Sequence, residues 1–430
     1  MAIAALLRTH SKICCTRSRR YFDVTYTTGI HYLHNNRDNL NNDLPPPDNG
    51  LLKELNSLGL DKYIVPLSDL GYFSLPRTTT SEIEETTNDD SSSPRCPIIT
   101  DIKKYIDLKT KPHVVTPAHI RETNLSLPRQ FSFSGNNVPS VAPSSPPSSS
   151  SSSLFHYRFW SKLASLYVAV TERNLNLEED IDFVFGGSVL YFLATGKLSD
   201  DVPNDNEKCI MTKIPGTDVV VINRHKIYTT NSNSIGSQLE RIVCGGGIDD
   251  SKNNNSNQYS NFVTHLHLLD IVGVKVLMSS EIDALFSPDE NTNNIPLEIK
   301  SVRYTKYYNR QEAILFQMIS SASQYICEGF TKLDDSRRQT LCNLRIRSLM
   351  EYSLRPNIIS KRKLIQHGDN IRDSIEELQK LCIVMKEGEV YELKYDKETE
   401  GNLTMIHSAT ITIDDLFPKK EVVQELMFGK

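Results

Sequence analysis

Residues 278–317, MSSEIDALFSPDENTNNIPLEIKSVRYTKYYNRQEAILFQ, place three acids and a lysine on two short apolar segments. The run from Ile271 to Leu277 leads into Glu281 and Asp283, a polar loop follows, then Leu297-Glu298-Ile299-Lys300, then an amphipathic stretch carrying Gln317. Side chains alternate faces along a strand, so the spacing predicts Glu281 and Asp283 together on one face and Glu298 and Lys300 together on another. Two such strands aim three carboxylates and one ammonium at a common point. Carboxylate oxygens are the preferred ligands of Mg²⁺ or Mn²⁺, and such an ion polarises a phosphoryl oxygen while acidifying a bound water. A lysine beside them can hold the nucleophile or the developing charge. The chemistry implied is phosphodiester cleavage.

Glu-x-Lys alone says little in a chain with 23% charged residues, where alternating charges usually mark a solvated strand face. What sets Glu298-x-Lys300 apart is Asp283 ahead of it at the end of an apolar run, with Ile282, Leu297 and Ile299 in alternation. In order and spacing the stretch resembles the PD-(D/E)xK nuclease superfamily, in which an acidic residue on one strand precedes E-x-K on the next.

The net charge of -5 argues against a generally basic nucleic-acid coat, but the average hides a local excess. From Leu297 to Lys363 there are thirteen Lys and Arg against six Asp and Glu, a balance of +7. A positive belt directly after the carboxylates is what a binder of phosphate backbone needs. The eight cysteines are scattered, and no C-x-x-C pair or Cys/His zinc spacing occurs, which fits a reduced compartment and no structural zinc.

The first 22 residues carry Arg8, Lys12, Arg17, Arg19 and Arg20 and no acid before Asp23. That is the composition of a mitochondrial presequence, and the apolar start is too soon interrupted by charge to be a secretory or membrane-spanning segment. Residues 23–50, rich in Asn, Asp and Pro, read as a flexible spacer. Order is expected from Leu51 with a short helix at Leu51–Leu55, and apolar residues recur at helical spacing over Ile102–Ile106. Residues 51–133 form an amino-terminal segment expected to pack on the nuclease core, and residues 134–153, with six serines from Ser148 to Ser153, a mobile linker. The remaining residues, 154–430, are expected to form the nuclease domain.

Within it, Phe155, Phe159, Leu163, Leu166 and Val170 mark an amphipathic helix. The segment DFVFGGSVLYFLATGK invites a phosphate-loop reading, but Tyr191 stands at the first glycine position and Leu198 follows the lysine, so that reading is rejected. Cys209–Ile222 reads as a hairpin turned by Pro215-Gly216, and a helix begins at Gly236 with Gly245–Gly247 as its stop. His265 and His267 would share a strand face and could hold a metal. No third ligand lies at a recognisable spacing, so structural histidines are favoured. A strand at Leu344–Arg347, a helix through Ile371, Ile375, Leu378 and Cys382, and strands at Val390–Tyr395 and Leu403–Ile413 complete a mixed α/β domain, helices flanking a central mixed sheet.

Glu240 in G-x-x-L-E, Glu281-Ile-Asp283, Glu298-Ile-Lys300 and Gln317 resemble, in order and spacing, the active-site pattern of the DXO decapping exonucleases over roughly residues 157–350. Where that family carries an arginine after tryptophan, this chain has Phe185-Gly186-Gly187, which counts against cap or 5′-end handling of the DXO type. GYFSLPR at 71–77, DIKKYI, the serine-rich segment running into LFHYRFW, and MSSEIDALFSP are similar to successive landmarks of the mitochondrial Pet-type RNA-processing proteins, relatives of the DXO enzymes. The resemblance implies a metal-dependent 5′→3′ exoribonuclease of the mitochondrial matrix, with single-stranded RNA 5′ ends as substrate and other mitochondrial RNA-processing proteins as partners. It implies metal ligands Glu240, Glu281, Asp283, Glu298 and the Ile299 carbonyl, and catalytic roles for Asp283, Glu298, Lys300 and Gln317. RNA binding is expected from Arg303, Lys306 and Arg310. Two alternatives stand beside it: a decapping or NAD-cap-removing hydrolase of nucleus or cytosol, and a non-catalytic accessory protein of mitochondrial RNA metabolism.

Overall fold

Two mixed sheets, joined at the stretch that carries the acids, organise the structure, a computed structural model. It describes residues 49–76, 106–131, 159, 161–198, 207–226, 235–245, 261–289, 293–303, 311–333, 339–354, 359–395 and 403–428. All of these belong to one unit, Pro45–Lys430. The expected presequence, the linker 134–153, Phe155, Lys306 and Arg310 lie outside the described residues, as does the spacer except at its end, where Asn49 already starts a helix.

That helix, α1 (Asn49–Leu58), buries Leu51, Leu55 and Leu58 in the main core, the i, i+4, i+7 stripe of an amphipathic helix. The chain then forms β1 (Ile64–Pro76), an edge strand paired antiparallel with β7 (Asn261–Ile271) and containing two register shifts. Ile106, read as the end of a helix, leads instead into a bridge between Asp107 and Ser74. Short strands β2 (Val114–Val115) and β3 (Arg129–Gln130) flank α2 (Pro117–Leu125), whose first turn is capped by Thr116 and entered through Pro117.

The expected amphipathic helix is present at 161–167 and passes into a π-helical turn, Val168–Glu172. After β4 (Phe183–Phe185) comes α3 (Gly187–Thr195), six of whose nine residues are buried. β5 (Glu207–Lys213) and β6 (Val220–Lys226) make the predicted hairpin, and Gly216 has the positive φ of 79° that the turn requires. α4 (Ile235–Val243) follows, ending before Gly245 at φ 85°.

Sheet one runs β1-β7-β8-β4-β6-β5-β13-β14, where β8 is Val274–Glu281, β13 Val390–Tyr395 and β14 Leu403–His407. Sheet two runs β2-β9-β10-β11-β12-β3, with β9 Ala284–Phe286, β10 Ile295–Arg303, β11 Tyr325–Leu333 and β12 Gln339–Ser348. The mixed α/β class expected from the sequence is the one found, its strands divided over two sheets. The last strand stops at His407 rather than Ile413, which opens a 3₁₀ turn. The remaining helices are α5 (Gln311–Ser320), α6 (Leu349–Ser353), α7 (Lys361–Val384) and α8 (Lys420–Phe428). No described helix is long and apolar enough to cross a membrane.

The helices are set by polar as well as apolar contacts. Side chains of α7 satisfy the last carbonyls of α3: His367 Nδ1 lies 3.0 Å and Asn370 Nδ2 2.8 Å from the Ala194 oxygen, and Ser374 donates to Leu193 at 3.0 Å. Glu312 of α5 pairs with Lys363 and His367 of α7. Burial alone would raise the Glu312 pKa, but these two partners hold it down at about 2. The helix carrying Gln317 is thereby tied at its first turn.

Candidate active site

The chain changes sheets in two residues. β8 ends at Glu281, Ile282 and Asp283 make the crossing, and Ala284 opens β9. Ile282 is buried and its N–H donates to the Val263 carbonyl at 3.0 Å, which anchors the crossing to β7. Strand alternation therefore does not carry from Glu281 to Asp283 as the sequence predicted. Glu281 is exposed at the end of β8, whereas the Asp283 carboxylate turns to β10 and accepts the Ile299 N–H at 2.7 Å. That bond fixes the acid against the neighbouring strand, where Glu298 and Lys300 share a face as expected.

Asp283, Glu298 and Lys300 are brought together. Lys300 Nζ lies 3.6 Å from Asp283 Oδ2 and forms a close ion pair with Glu298 Oε1. The Glu298 side chain has no exposed surface, and Lys300 meets it both as a charge and as a hydrogen-bond partner. Burial pushes the Glu298 pKa up; Lys300 opposes this, while Asp283 and Glu240 add to it. Burial would lower the Lys300 pKa, but Asp283, Glu298 and Glu240 together outweigh it and keep the amine charged. An anionic cluster with one resident cation is thus built into the interior edge of β10.

Glu240, on α4, acts on Glu298 and Lys300 through its charge. α4 is seated by Leu239, Ile242 and Val243 in the smaller core with Leu297 and Ile299. Gly329 allows the approach, since a Cβ there would stand 2.6 Å from the Leu239 methyls. Buried carboxylate oxygens fit a hard divalent cation in kind. Among the described residues, however, no three His, Cys, Asp or Glu side chains lie close enough to hold a metal as a group, so the expected convergence of Glu240, Asp283 and Glu298 is not reached in this arrangement. Lys300 stands where the positive charge would otherwise be needed. Gln317 sits half-buried on α5, its carbonyl accepting from the Ser320 and Ser321 hydroxyls at 2.8 and 2.9 Å, and no described contact joins it to the carboxylates. Arg303 is exposed at the end of β10, its guanidinium 3.3 Å from Gln339 Oε1.

Sequence reading missed Glu328 and Arg347. Glu328 is fully buried on β11 and accepts from Arg347 Nε of β12 at 2.8 Å. Burial raises its pKa to about 7 against the pull of Arg347 and Arg345. An acid two residues beyond Ile326, faced by alternating arginines, was the available signal.

His265 and His267 are buried on β7, and neither joins the cluster. His265 Nε2 lies 2.9 Å from Asp69 Oδ1 and Nδ1 2.8 Å from the Ser321 carbonyl, tying β1, β7 and the end of α5 together. His267 has no hydrogen-bond partner at either nitrogen. Burial, reinforced by His265 and opposed by Asp69, depresses its pKa to about 3. The unfolded chain takes up that proton near pH 6.5, so stability falls as pH drops from about 6.5 towards 3, at about 1.4 kcal/mol per unit for one proton. Glu328 has the opposite sign, its raised pKa costing stability as pH rises from 4.5 to about 7. The difference between wild type and His267→Leu isolates the histidine: urea unfolding at pH 6 and 4.5 is expected to show a smaller acid loss in the variant, and equal losses would exclude the assignment.

No protein-family model matches the sequence, and no curated protein matches it. Among solved structures, Rai1 of S. pombe aligns with a TM-score of 0.47 and 12% identity over 80% of this chain and 94% of its own. Candida albicans Rai1 in complex with pU5-Mn²⁺ aligns at 0.46 and 13% over 83% and 94%. Scheffersomyces stipitis Rai1 in complex with (3′-NADP)⁺ and calcium ion aligns at 0.49 and 10% over 86% and 96%.

Proposed function

We propose that the chain is a metal-dependent ribonuclease that trims RNA from its 5′ end. The observation that carries the reading is Glu298: a carboxylate taken wholly out of water and sharing one lysine with Asp283. A charge buried this way destabilises the fold unless something returns the cost, and cation-assisted chemistry is the use that its neighbours support. Asp283 and Glu298, with Glu240 at longer range, would hold Mg²⁺ or Mn²⁺, and a bound ion would polarise the scissile phosphate. Lys300 keeps its proton, so it serves as a hydrogen-bond donor and positive charge toward the attacking water or the pentavalent phosphorus, not as a base. The acidic composition outside the local basic segment suits a protein that takes RNA at one place.

Residues 1–22 support a mitochondrial setting for this activity, with removal of the segment on import. The test uses the full chain with RNAs of one sequence bearing a 5′-monophosphate, a 5′-hydroxyl or a cap, with Mg²⁺, with Mn²⁺ and with EDTA. Stepwise loss from monophosphorylated 5′ ends, abolished by EDTA, is expected. Release of the cap without trimming would replace the proposal by the decapping reading, and no product from any substrate by the accessory-protein reading.

A further inference from the structure

The register of sheet two extends the cluster sideways. In the parallel pairing of β10 with β11, Lys300 stands beside Glu328, and in the antiparallel pairing of β11 with β12, Glu328 stands beside Arg345. Directly paired residues share a face, so Glu298, Lys300, Glu328, Arg345 and Arg347 all belong to one side of the sheet. The opposite side is accounted for by Ile299, Cys327 and Leu344, which lie in the smaller core. Adjacent strands are about 4.8 Å apart, which puts the Arg345 position about 10 Å from Lys300 across the sheet.

The two arginines of this row differ in circumstance. Arg347 is largely covered and its charge is spent on the buried Glu328. Arg345 is exposed and acts on Glu328 through its charge, without the hydrogen bond that Arg347 makes. Its backbone is also held. The Asn124 side chain of α2 bonds both polar groups of Leu344, donating to the carbonyl at 3.0 Å and accepting the N–H at 2.8 Å, as a neighbouring strand would. β3 pairs β12 only at Thr340 and Leu341, so Asn124 continues the edge to the residue before Arg345.

We propose that Arg345, exposed at the margin of this face beside the covered Glu328, is a phosphate-contacting residue for the substrate. The assignment rests on the ribonuclease reading above. The Arg347–Glu328 pair is a positioning element: with Glu328 neutralised by Arg347, the face offers the phosphate a net positive charge instead of a buried anion. A guanidinium suits this place because it binds phosphate through two parallel hydrogen bonds.

The experiment compares RNA affinity of the full-length wild type, Arg345→Ala, Arg345→Lys and Asp283→Ala across a salt series, with Ca²⁺ in place of Mg²⁺, and measures cleavage by all four at saturating RNA with Mg²⁺. Arg345→Ala is expected to bind about tenfold more weakly, in line with one lost charged hydrogen bond, and to reduce the slope of log affinity against log salt by about 0.7, the share of one single-strand phosphate contact. Its kcat should stay near the wild-type value, and Arg345→Lys should restore the slope with part of the affinity. The loss should be the same for RNAs of different sequence. Wild-type affinity and slope in Arg345→Ala, with wild-type cleavage intact and Asp283→Ala inactive, would overturn this assignment and leave the ribonuclease reading standing. A wild type that neither binds nor cleaves RNA would overturn both.

Discussion

Lys300→Met is expected to lower RNA degradation by roughly 10²- to 10³-fold, the range found when one donor to developing charge is removed. Methionine keeps the length and volume of the side chain and removes its charge. The ammonium now lies between Asp283 Oδ2 and Glu298 Oε1, so its loss leaves two carboxylates facing each other in a buried place. The variant should therefore lose stability as well, because an uncompensated buried charge is the expensive half of a broken ion pair. Glu298→Gln should behave differently. It removes the desolvated charge while keeping the shape, so it is expected to leave stability unchanged or raise it, yet to lose activity on the same scale as Lys300→Met. Equal signs in activity with opposite signs in stability separate a chemical site from a structural ion pair. The double variant should be scarcely less active than either single one, since groups that act as a unit are not additive. Single-turnover cleavage and urea unfolding of the four proteins are the measurements. Wild-type cleavage by Lys300→Met would remove the enzyme reading.

The cluster was legible in the sequence where strand alternation governs and illegible where the chain turns. Glu298-x-Lys300 lies within nine residues of regular strand, so the period of two predicted its face correctly. The Glu281 and Asp283 pair lies across the point where the chain leaves one sheet for the other, and no local signal marks a sheet change made in two residues. Glu240 reaches the cluster only through the packing of α4, which a linear pattern does not contain. The division into two sheets was hidden for the same reason. β1 was passed over for another: Pro66, Gly71 and Pro76 argue against a strand, but β1 is an edge strand, bridged on its outer side at Ser74, and an edge tolerates missing donors and irregular register. By contrast, the Pro215-Gly216 turn, the stop after α4 and the strand at Val390–Tyr395 depend on short-range chemistry, and there the sequence and the structure coincide.

The glycine pair after β4 shows how a motif rejected for one function acquires a physical role. Gly186 and Gly187 hold no phosphate loop, but both sit where backbone approaches too closely for a side chain. A Cβ on Gly186 would stand 2.9 Å from the Ser279 carbonyl, and one on Gly187 would stand 2.2 Å from Ser320 Oγ and 3.1 Å from the Gln317 Cα. The second contact is between α3 and the end of α5, and it is supported by a hydroxyl relay: Ser280 donates to Ser320 at 3.2 Å, and Ser320 donates to the Gln317 carbonyl at 2.8 Å. Ser280 precedes Glu281 at the end of β8, so this one contact joins α3, α5 and the strand that delivers Asp283.

Gly187→Val is therefore expected to cost about 1–3 kcal/mol, the usual range for overpacking a filled interior, and to displace α5 from α3. The cost should be steric. Gly59 provides the comparison, because its φ of 72° is left-handed while nothing lies within 4 Å of the Cβ position, so Gly59→Ala carries backbone strain alone, about 1 kcal/mol. Rescue distinguishes the two mechanisms. Ser320→Gly removes the atom 2.2 Å from the new Cβ, so Gly187→Ala combined with Ser320→Gly should recover part of the stability lost by Gly187→Ala alone, the remainder reflecting the Gln317 backbone and the lost hydroxyl relay. No second-site change at Ser320 should rescue Gly59→Ala. Urea midpoints of the single and double variants give the coupling directly. Purely additive losses at positions 187 and 320 would show that the close approach of α3 and α5 does not set the stability of this contact.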